Sequence, residues 1–113
     1  MAKTPEQLAQ EQLDAYNSHD IEAFLNAYSE DCEIYNQSTG EIMMKGHDAM
    51  RERYGKMFNE RPKLYADLIK RMTLGNFAID QEEVTISDTE HSQAIAIYEV
   101  KDNLIRKVWF IKP

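Results

Sequence analysis

The sequence predicts a small α+β domain in which three helices are followed by a curled antiparallel β-sheet. Apolar residues recur at helical spacing through the first half of the chain and alternate with period two through the second half. Helices first and an antiparallel meander second is the usual order of an α+β fold. The chain has 113 residues, which is the length of one domain, so we expect 1–113 to form a single unit.

The boundaries of the three helices can be predicted from local signals. Thr4-Pro5-Glu6-Gln7 offers an N-cap, a proline at the first helical position and a glutamine placed to close a capping box. Asp20 is placed to cap a second helix. Gly46 precedes a third helix, which Arg61-Pro62 should end because a proline disfavours helical backbone in the residue before it.

The second half of the chain contains four strand-like runs, at residues 64–74, 77–87, 92–101 and 104–111. The connections between them are short enough for hairpins and contain turn residues, as in Gly75-Asn76 and Asp102-Asn103. A shorter run at 32–36 is a further strand candidate. Consecutive hairpins predict an antiparallel sheet.

Composition excludes several classes of function. A net charge of −7 disfavours nucleic acid as a partner, because a phosphate backbone would be repelled. No apolar run approaches the roughly 20 residues that a membrane span needs. The single cysteine, Cys32, excludes an internal disulfide and, with no apolar segment in residues 1–10, favours a cytoplasmic protein. The histidines are too scattered for metal-ligand spacing, so we expect no metal and no cofactor.

Both faces of the predicted strands are apolar, although helices can cover only one face of a sheet. A second copy of the chain is the economical cover for the other face. We therefore predict a homodimer through the face that bears Trp109, Ile97 and Leu68, with Trp109 as an interface anchor. The alternative is that Trp109 belongs to the core of a monomer.

Several segments, in this order and spacing, resemble the SnoaL-like and nuclear transport factor 2-like superfamily, which includes ketosteroid isomerases and polyketide cyclases. These segments are Asn17-Ser18-His19-Asp20, Tyr28-Ser29-Glu30-Asp31-Cys32, the Gly46-His47-Asp48-Ala49-Met50 opening of the third helix, and the closing run at 98–110. The resemblance covers nearly the whole chain. It implies a cone in which three N-terminal helices pack on the concave face of a curved antiparallel β-sheet and enclose a pocket.

The catalytic residues of the resembled enzymes are not found at the matching positions. The isomerases' carboxylate base falls on Asn36, their first-helix tyrosine on Gln12 and their protonated aspartate on Ala96. The cyclases' histidine and aspartate fall on Val108 and Phe110. Neither of those two mechanisms is therefore expected here.

The register that the resemblance implies also predicts the lining of the pocket. The predicted ligand-contacting residues are Asn36, Met50, Tyr54, Tyr65, Asp67, Ile69, Val84, Ala96, Tyr98 and Phe110. The small side chains on the third long strand would leave room for a ligand or for larger core side chains.

Asp80 and Glu82 are unusual because they share a strand face with the apolar Val84 and Ile86. A buried carboxylate is costly unless it is paired, and burial raises its pKa. Across the hairpin, Arg71 lies nearly opposite Asp80 and can supply the counter-charge. We predict that Asp80 or Glu82 acts as a general acid/base or anchors a polar ligand, with Arg71 tuning the charge. The alternatives are a structural ion pair that fills a small pocket, or solvated charges at a strand end.

The sequence thus favours a small-molecule-binding dimer. Its activity would be that of an isomerase, a lyase or a hydrolase that works by general acid/base chemistry without metal. The acidic pair favours a compact ligand that is partly polar or cationic. The other hypothesis is a non-enzymatic ligand-binding or protein-association module whose cavity is closed by tyrosines. An open cavity that contains the two acids would favour the first hypothesis.

Overall fold

The computed structural model describes residues 2–113 as three helices packed against one side of a curved six-stranded sheet, which confirms the predicted fold class. The helices are α1 (Pro5–Asn17), α2 (Ile21–Asn26) and α3 (Gly46–Glu60). The strands are β1 (Tyr28–Asn36), β2 (Ile42–Lys45), β3 (Tyr65–Leu74), β4 (Phe77–Thr85), β5 (His91–Lys101) and β6 (Leu104–Ile111). Strand β2 was not predicted from the sequence.

The helix-capping signals act as predicted. The Thr4 side chain accepts a hydrogen bond from the Gln7 backbone N–H at 3.1 Å, and the Gln7 side chain accepts one from the Thr4 N–H at 2.8 Å. Asp20 accepts from the Ala23 N–H at 3.1 Å. Each contact satisfies a backbone donor that a helix start would otherwise leave without a partner.

The strands are ordered β2-β1-β6-β5-β4-β3 in the sheet. The hairpins from β3 to β6 pair antiparallel, as their short turns require. Strand β1 pairs with β6 in parallel. That direction could not be predicted from turn chemistry, because most of the chain, and not a hairpin, separates these two strands.

A β-bulge in β3 reverses the face assignments at the start of that strand. Leu68 pairs with Glu82 and Lys70 with Gln81, so Ile69 is an extra residue in the ladder. Cross-strand partners share a face, and Leu68 therefore shares the face of Glu82 and does not belong to the face of Trp109. The prediction that placed Leu68 on the dimer face is wrong for this reason.

The same bulge places three predicted pocket residues on the outside. Tyr65 is 48% exposed and Ile69 is 51% exposed. Asp67 is also exposed, and its partner in the ladder is the exposed Glu83. The prediction assumed unbroken alternation from Arg71 back to Tyr65, and the bulge breaks that alternation.

The residues between α1 and α2 attach the helices to β3. The Asn17 amide donates to the Ala66 carbonyl at 3.0 Å and accepts from the Ala66 N–H at 2.7 Å. The His19 ring stacks on Phe58 with its centroid 5.2 Å away, and its Nε2 lies 2.7 Å from the Leu64 carbonyl. These contacts fix the start of β3 beneath the helices. Leu64, just before the strand, and Ala66, within it, are buried in the core there.

Candidate functional site

A cavity of about 180 Å³ lies between α1, α3 and the concave face of the sheet; we call it the central cavity. Its lining combines aromatic and aliphatic side chains with one carboxylate. The lining residues are Gln12, Leu13, Tyr16, Phe24, Tyr28, Met43, Met44, Arg53, Tyr54, Met57, Arg61, Leu64, Ala66, Glu82, Val84, Ile86, Ser92, Ala94, Tyr98, Phe110 and Lys112.

Glu82 supplies the carboxylate of the central cavity. Its residue is only 6% exposed, and it faces Ala94 across the β4–β5 ladder. Within residues 2–113 its carboxylate has no hydrogen-bond donor and no ion-pair partner at bonding distance. Burial, with a further contribution from Asp80, raises the pKa of Glu82 from its ordinary 4.5 to about 7.

Asp80, two residues earlier on the same face of β4, is held in an ion pair. The Arg71 Nε lies 2.7 Å from one carboxylate oxygen of Asp80, and the Arg71 Nη2 lies 2.9 Å from the other. A third nitrogen of Arg71 donates to the Gln10 side chain at 2.9 Å. Asp80 is fully buried, and neither it nor Arg71 lines the central cavity. The Asp80 hydrogen bonds raise the pKa of Arg71, so the guanidinium stays charged beside Asp80.

Four tyrosines of the central cavity lie in the field of Glu82, which helps to raise the pKa of each of them: Tyr16, Tyr28, Tyr54 and Tyr98. Burial is the largest cause in every case, and these phenols therefore stay protonated and can donate hydrogen bonds. Tyr28 donates to the Gln12 side chain at 3.0 Å. Within residues 2–113, the hydroxyls of the other three make no hydrogen bond, which leaves them available to a ligand.

The structure brings some of the predicted site residues together and separates others. Glu82, Tyr54, Val84, Tyr98 and Phe110 line the central cavity. Met50 and Ala96 are fully buried in the core without lining it.

Four further predicted positions are also outside the cavity lining. Asn36 pairs with Phe110 in the ladder and accepts a hydrogen bond from the Ser38 N–H at 2.9 Å, but it does not line the cavity. Tyr65, Asp67 and Ile69 lie outside, as described above. Tyr65 thus does not help to close the cavity.

Sequence reasoning missed several functional candidates. Gln12 interrupts the apolar stripe of α1, and a polar residue on a buried face was a usable signal for a pocket. Arg53 on α3 and Arg61, the residue that follows this helix, flank Met57 at intervals of four residues, and both line the cavity. No sequence signal placed Lys112, which follows β6, beside them.

Other reactive groups do not form a second site. Burial raises the pKa of the Cys32 thiol to about 12, so this cysteine stays protonated in the core. No three His, Cys, Asp or Glu side chains of residues 2–113 come together in a way that could hold a metal ion. In the same part of the chain, no helix is long and apolar enough to cross a membrane.

Residues 9–108 match the sequence profile of the SnoaL-like domain. No curated protein matches the chain. A similar solved structure is an uncharacterised cystatin-fold protein from Novosphingobium aromaticivorans, with a TM-score of 0.89, 20% sequence identity, and coverage of 98% of this chain and 100% of that one.

Two further solved structures carry suggested activities in their names. A candidate ketosteroid isomerase from Kribbella flavida has a TM-score of 0.79 and 22% identity. The alignment covers 94% of this chain and 75% of the isomerase chain. A candidate polyketide cyclase from Sinorhizobium meliloti has a TM-score of 0.77 and 14% identity. The alignment covers 92% of this chain and 93% of the cyclase chain. At these identities the similarity shows a shared fold.

Proposed function

The chain belongs to the SnoaL-like domain family, and from that premise we propose that it binds a compact small molecule in the central cavity and exchanges a proton with it through Glu82. The observation that carries this proposal is a buried carboxyl, free of ion-pair and hydrogen-bond partners in residues 2–113, that lines a cavity and has a pKa near 7. An acid/base group is most effective when its pKa is close to the working pH. At neutral pH, Glu82 can both accept a proton and return it.

The tyrosines supply the complementary chemistry. When Glu82 removes a proton from a carbon beside a carbonyl group, the electron pair of the C–H bond moves onto the carbonyl oxygen. Protonated phenols such as those of Tyr54 and Tyr98 can stabilise that oxygen by donating hydrogen bonds, in a site with little water. Return of the proton from Glu82 to a second carbon completes an isomerisation, and loss of a leaving group completes an elimination.

The proposed base lies on a different strand from the one used by the isomerases that the sequence resembles. Their base position is Asn36 on β1, whose amide oxygen is bound to a backbone N–H. Their tyrosine position is Gln12, which is bound to Tyr28. A ligand that reacts at Glu82 must therefore place its reacting carbon over β4.

The size of the cavity limits the ligand. An apolar protein cavity of about 150 Å³ holds benzene. A cavity of about 180 Å³ fits a single ring or a short chain better than a fused ring system. The proposed substrate is therefore compact.

We further propose a cytoplasmic homodimer through the convex face of the sheet, now defined by Trp109, Ile97, Tyr35 and Met72. Trp109 pairs with Ile97 in the ladder, and its ring stacks on Tyr35 with centroids 5.7 Å apart. Met72 is 56% exposed and extends the same apolar face toward the edge of the sheet. An apolar surface of this kind favours association, and it also supports the second hypothesis, a non-enzymatic association module.

Proton exchange separates the two hypotheses. A thermal-shift screen against a metabolite library identifies ligands, because a ligand at 100 times its dissociation constant stabilises the fold by about 2.7 kcal/mol. Each ligand found is then incubated with the protein in D₂O, and its C–H signals are followed by proton NMR. Wild-type protein and the exposed-site control Glu83→Gln should introduce deuterium, and Glu82→Gln should not. Equal exchange with Glu82→Gln, or none with wild type, would refute the acid/base role.

A further inference from the structure

Three cations stand at the mouth of the central cavity, although the chain as a whole carries a net charge of −7. Arg53 and Arg61 approach it from the side of α3, and Lys112 approaches from the end of β6. All three are exposed, whereas the one carboxylate of the lining, Glu82, is buried. We call Arg53, Arg61 and Lys112 the cationic rim.

The cationic rim lacks the ion pairs that engage nearby arginine and lysine residues. Arg51, two residues before Arg53 on α3, binds Glu22 through two nitrogens at 3.0 Å each. Within residues 2–113, no carboxylate lies within 4.0 Å of the charged nitrogens of the rim. Lys112 instead places its Nζ 5.7 Å from the centre of the Phe110 ring, which itself lines the cavity.

The charge of the rim acts on the interior of the cavity. Burial raises the pKa of Tyr16, and Arg61 opposes that rise. Burial also raises the pKa of Tyr54, and Arg53 opposes it. Both arginines are thus close enough to stabilise negative charge near these hydroxyls.

The cavity lining therefore combines exposed cations, an apolar and phenolic wall, and one buried carboxyl. We propose that its ligand is a compact amphipathic anion, a carboxylate or a phosphate monoester, whose charged group lies at the cationic rim and whose apolar body reaches Glu82. Arginine recognises both kinds of anion through paired hydrogen bonds. This inference deepens the proposed function, on which it rests for the location of the ligand.

The anion replaces the cationic ligand that the sequence favoured. That expectation rested on two carboxylates in the pocket. Asp80 is neutralised by Arg71 and lies outside the lining, and only Glu82 remains. Because Glu82 is buried and the rim is exposed, an anionic head at the rim lies on the solvent side of the cavity and away from Glu82.

The test compares acids with neutral molecules that carry the same ring. Benzoate and benzamide, phenylacetate and phenylacetamide, and phenyl phosphate and phenol are titrated into the protein at about pH 8 and low ionic strength. We expect at least one acid to bind about tenfold more tightly than its neutral partner, and added salt to reduce the difference. The carboxylate and phosphate pairs show which anion is preferred.

Two double variants locate the effect. Arg53→Gln/Arg61→Gln should weaken binding of the acid about tenfold and leave the neutral partner nearly unchanged. Lys56→Gln/Lys101→Gln removes the same charge from exposed positions outside the lining and should change neither. Neutral partners that bind as tightly as acids, an equal loss in both double variants, or no binding by any acid would overturn the inference.

Glu82→Gln separates this inference from the proposed function. Suppose that the acids bind Glu82→Gln as tightly as wild type, and that Glu82→Gln still introduces deuterium into the ligands found by the screen. The anion inference then stands and the acid/base role fails. If neutral molecules bind best and exchange depends on Glu82, the acid/base role stands and the anion inference fails.

Discussion

Asp80 and Glu82 lie two residues apart on the same face of β4, but only Asp80 is paired with a cationic side chain, that of Arg71. Arg71 contacts both carboxylate oxygens of Asp80, at 2.7 and 2.9 Å, and this geometry leaves no comparable contact for Glu82. One carboxyl is thereby held in a buried ion pair, and the other is left in a desolvated cavity with a pKa near 7. Neighbouring carboxyls with different environments are a common basis for acid/base chemistry in enzymes.

Glu82 should make the stability of the fold depend on pH. Its pKa rises from 4.5 to about 7 on folding, so the folded protein binds the proton more tightly than the unfolded chain. The resulting stabilisation is fully present below pH 4.5 and is lost as the pH rises through 7. Relative to Glu82→Gln, wild type should therefore lose about 3 kcal/mol of unfolding free energy between these pH values.

Urea unfolding of both proteins at about pH 4.5 and pH 8 measures this difference. Glu83→Gln, which removes an exposed carboxyl from the same strand, serves as the control and should follow wild type at both pH values. A stability difference between wild type and Glu82→Gln that does not change with pH would contradict the prediction.

Removal of Arg71 should be strongly destabilising. Arg71→Met leaves the fully buried Asp80 carboxylate without its counter-charge, and breaking a buried pair in this way costs about 3–5 kcal/mol. The double variant Arg71→Met/Asp80→Leu should recover most of that loss, because it leaves no unpaired charge. Chemical denaturation measures the free energy of unfolding of wild type, Arg71→Met and the double variant.

The exposed pair formed by Arg51 and Glu22 provides the comparison. It has the same two-nitrogen geometry but lies in solvent, so Arg51→Met should have little effect on unfolding. A loss for Arg71→Met no larger than that for Arg51→Met would show that the Asp80 pair is not a structural element.

Filling the central cavity should block binding without unfolding the protein. Ala94 lines the cavity directly across the ladder from Glu82, and Ala94→Leu would place a larger side chain in the empty space. The thermal shift produced by the tightest-binding acid of the panel should then disappear. Ala96→Leu, at a fully buried position outside the lining, should instead destabilise the fold by about 1–3 kcal/mol through overpacking. Unchanged acid binding by Ala94→Leu would place the ligand elsewhere.

The convex face should hold two copies of the chain together. Light scattering of wild type at micromolar concentration should give twice the mass of one chain. Trp109→Arg and Ile97→Glu should give monomers, because each places a charge in an apolar contact. The exposed substitution Glu41→Lys should leave the mass unchanged. A wild-type monomer at these concentrations would refute the dimer.

The face assignments were predictable only where the strands are regular. Strand β4 contains no extra residue and pairs with β5 without a register shift, so period-two reasoning correctly placed Asp80 and Glu82 on the concave face. In β3 the extra residue Ile69 reverses the alternation, and Tyr65 and Leu68 were each assigned to the wrong face. A bulge of this kind has no glycine or proline to mark it, so the alternating pattern alone could not reveal it.

The cationic rim was unpredictable for a different reason. Arg53 and Lys112 are far apart in sequence and come together only because α3 and the end of β6 flank the same opening. The pairing of Arg71 with Asp80, in contrast, followed from a single hairpin and was correctly predicted. A contact within one hairpin could be predicted from the sequence, whereas a contact between elements far apart in the chain could not.

The most direct test is the ionisation of the Glu82 carboxyl itself. The side-chain carboxyl carbons of glutamate can be labelled with carbon-13 and titrated by NMR, with the Glu82 signal assigned as the one absent from Glu82→Gln. We predict a midpoint near pH 7 for that signal in the ligand-free protein. A midpoint at or below 4.5 would show that the carboxyl is solvated or paired, and would contradict its role as the acid/base group.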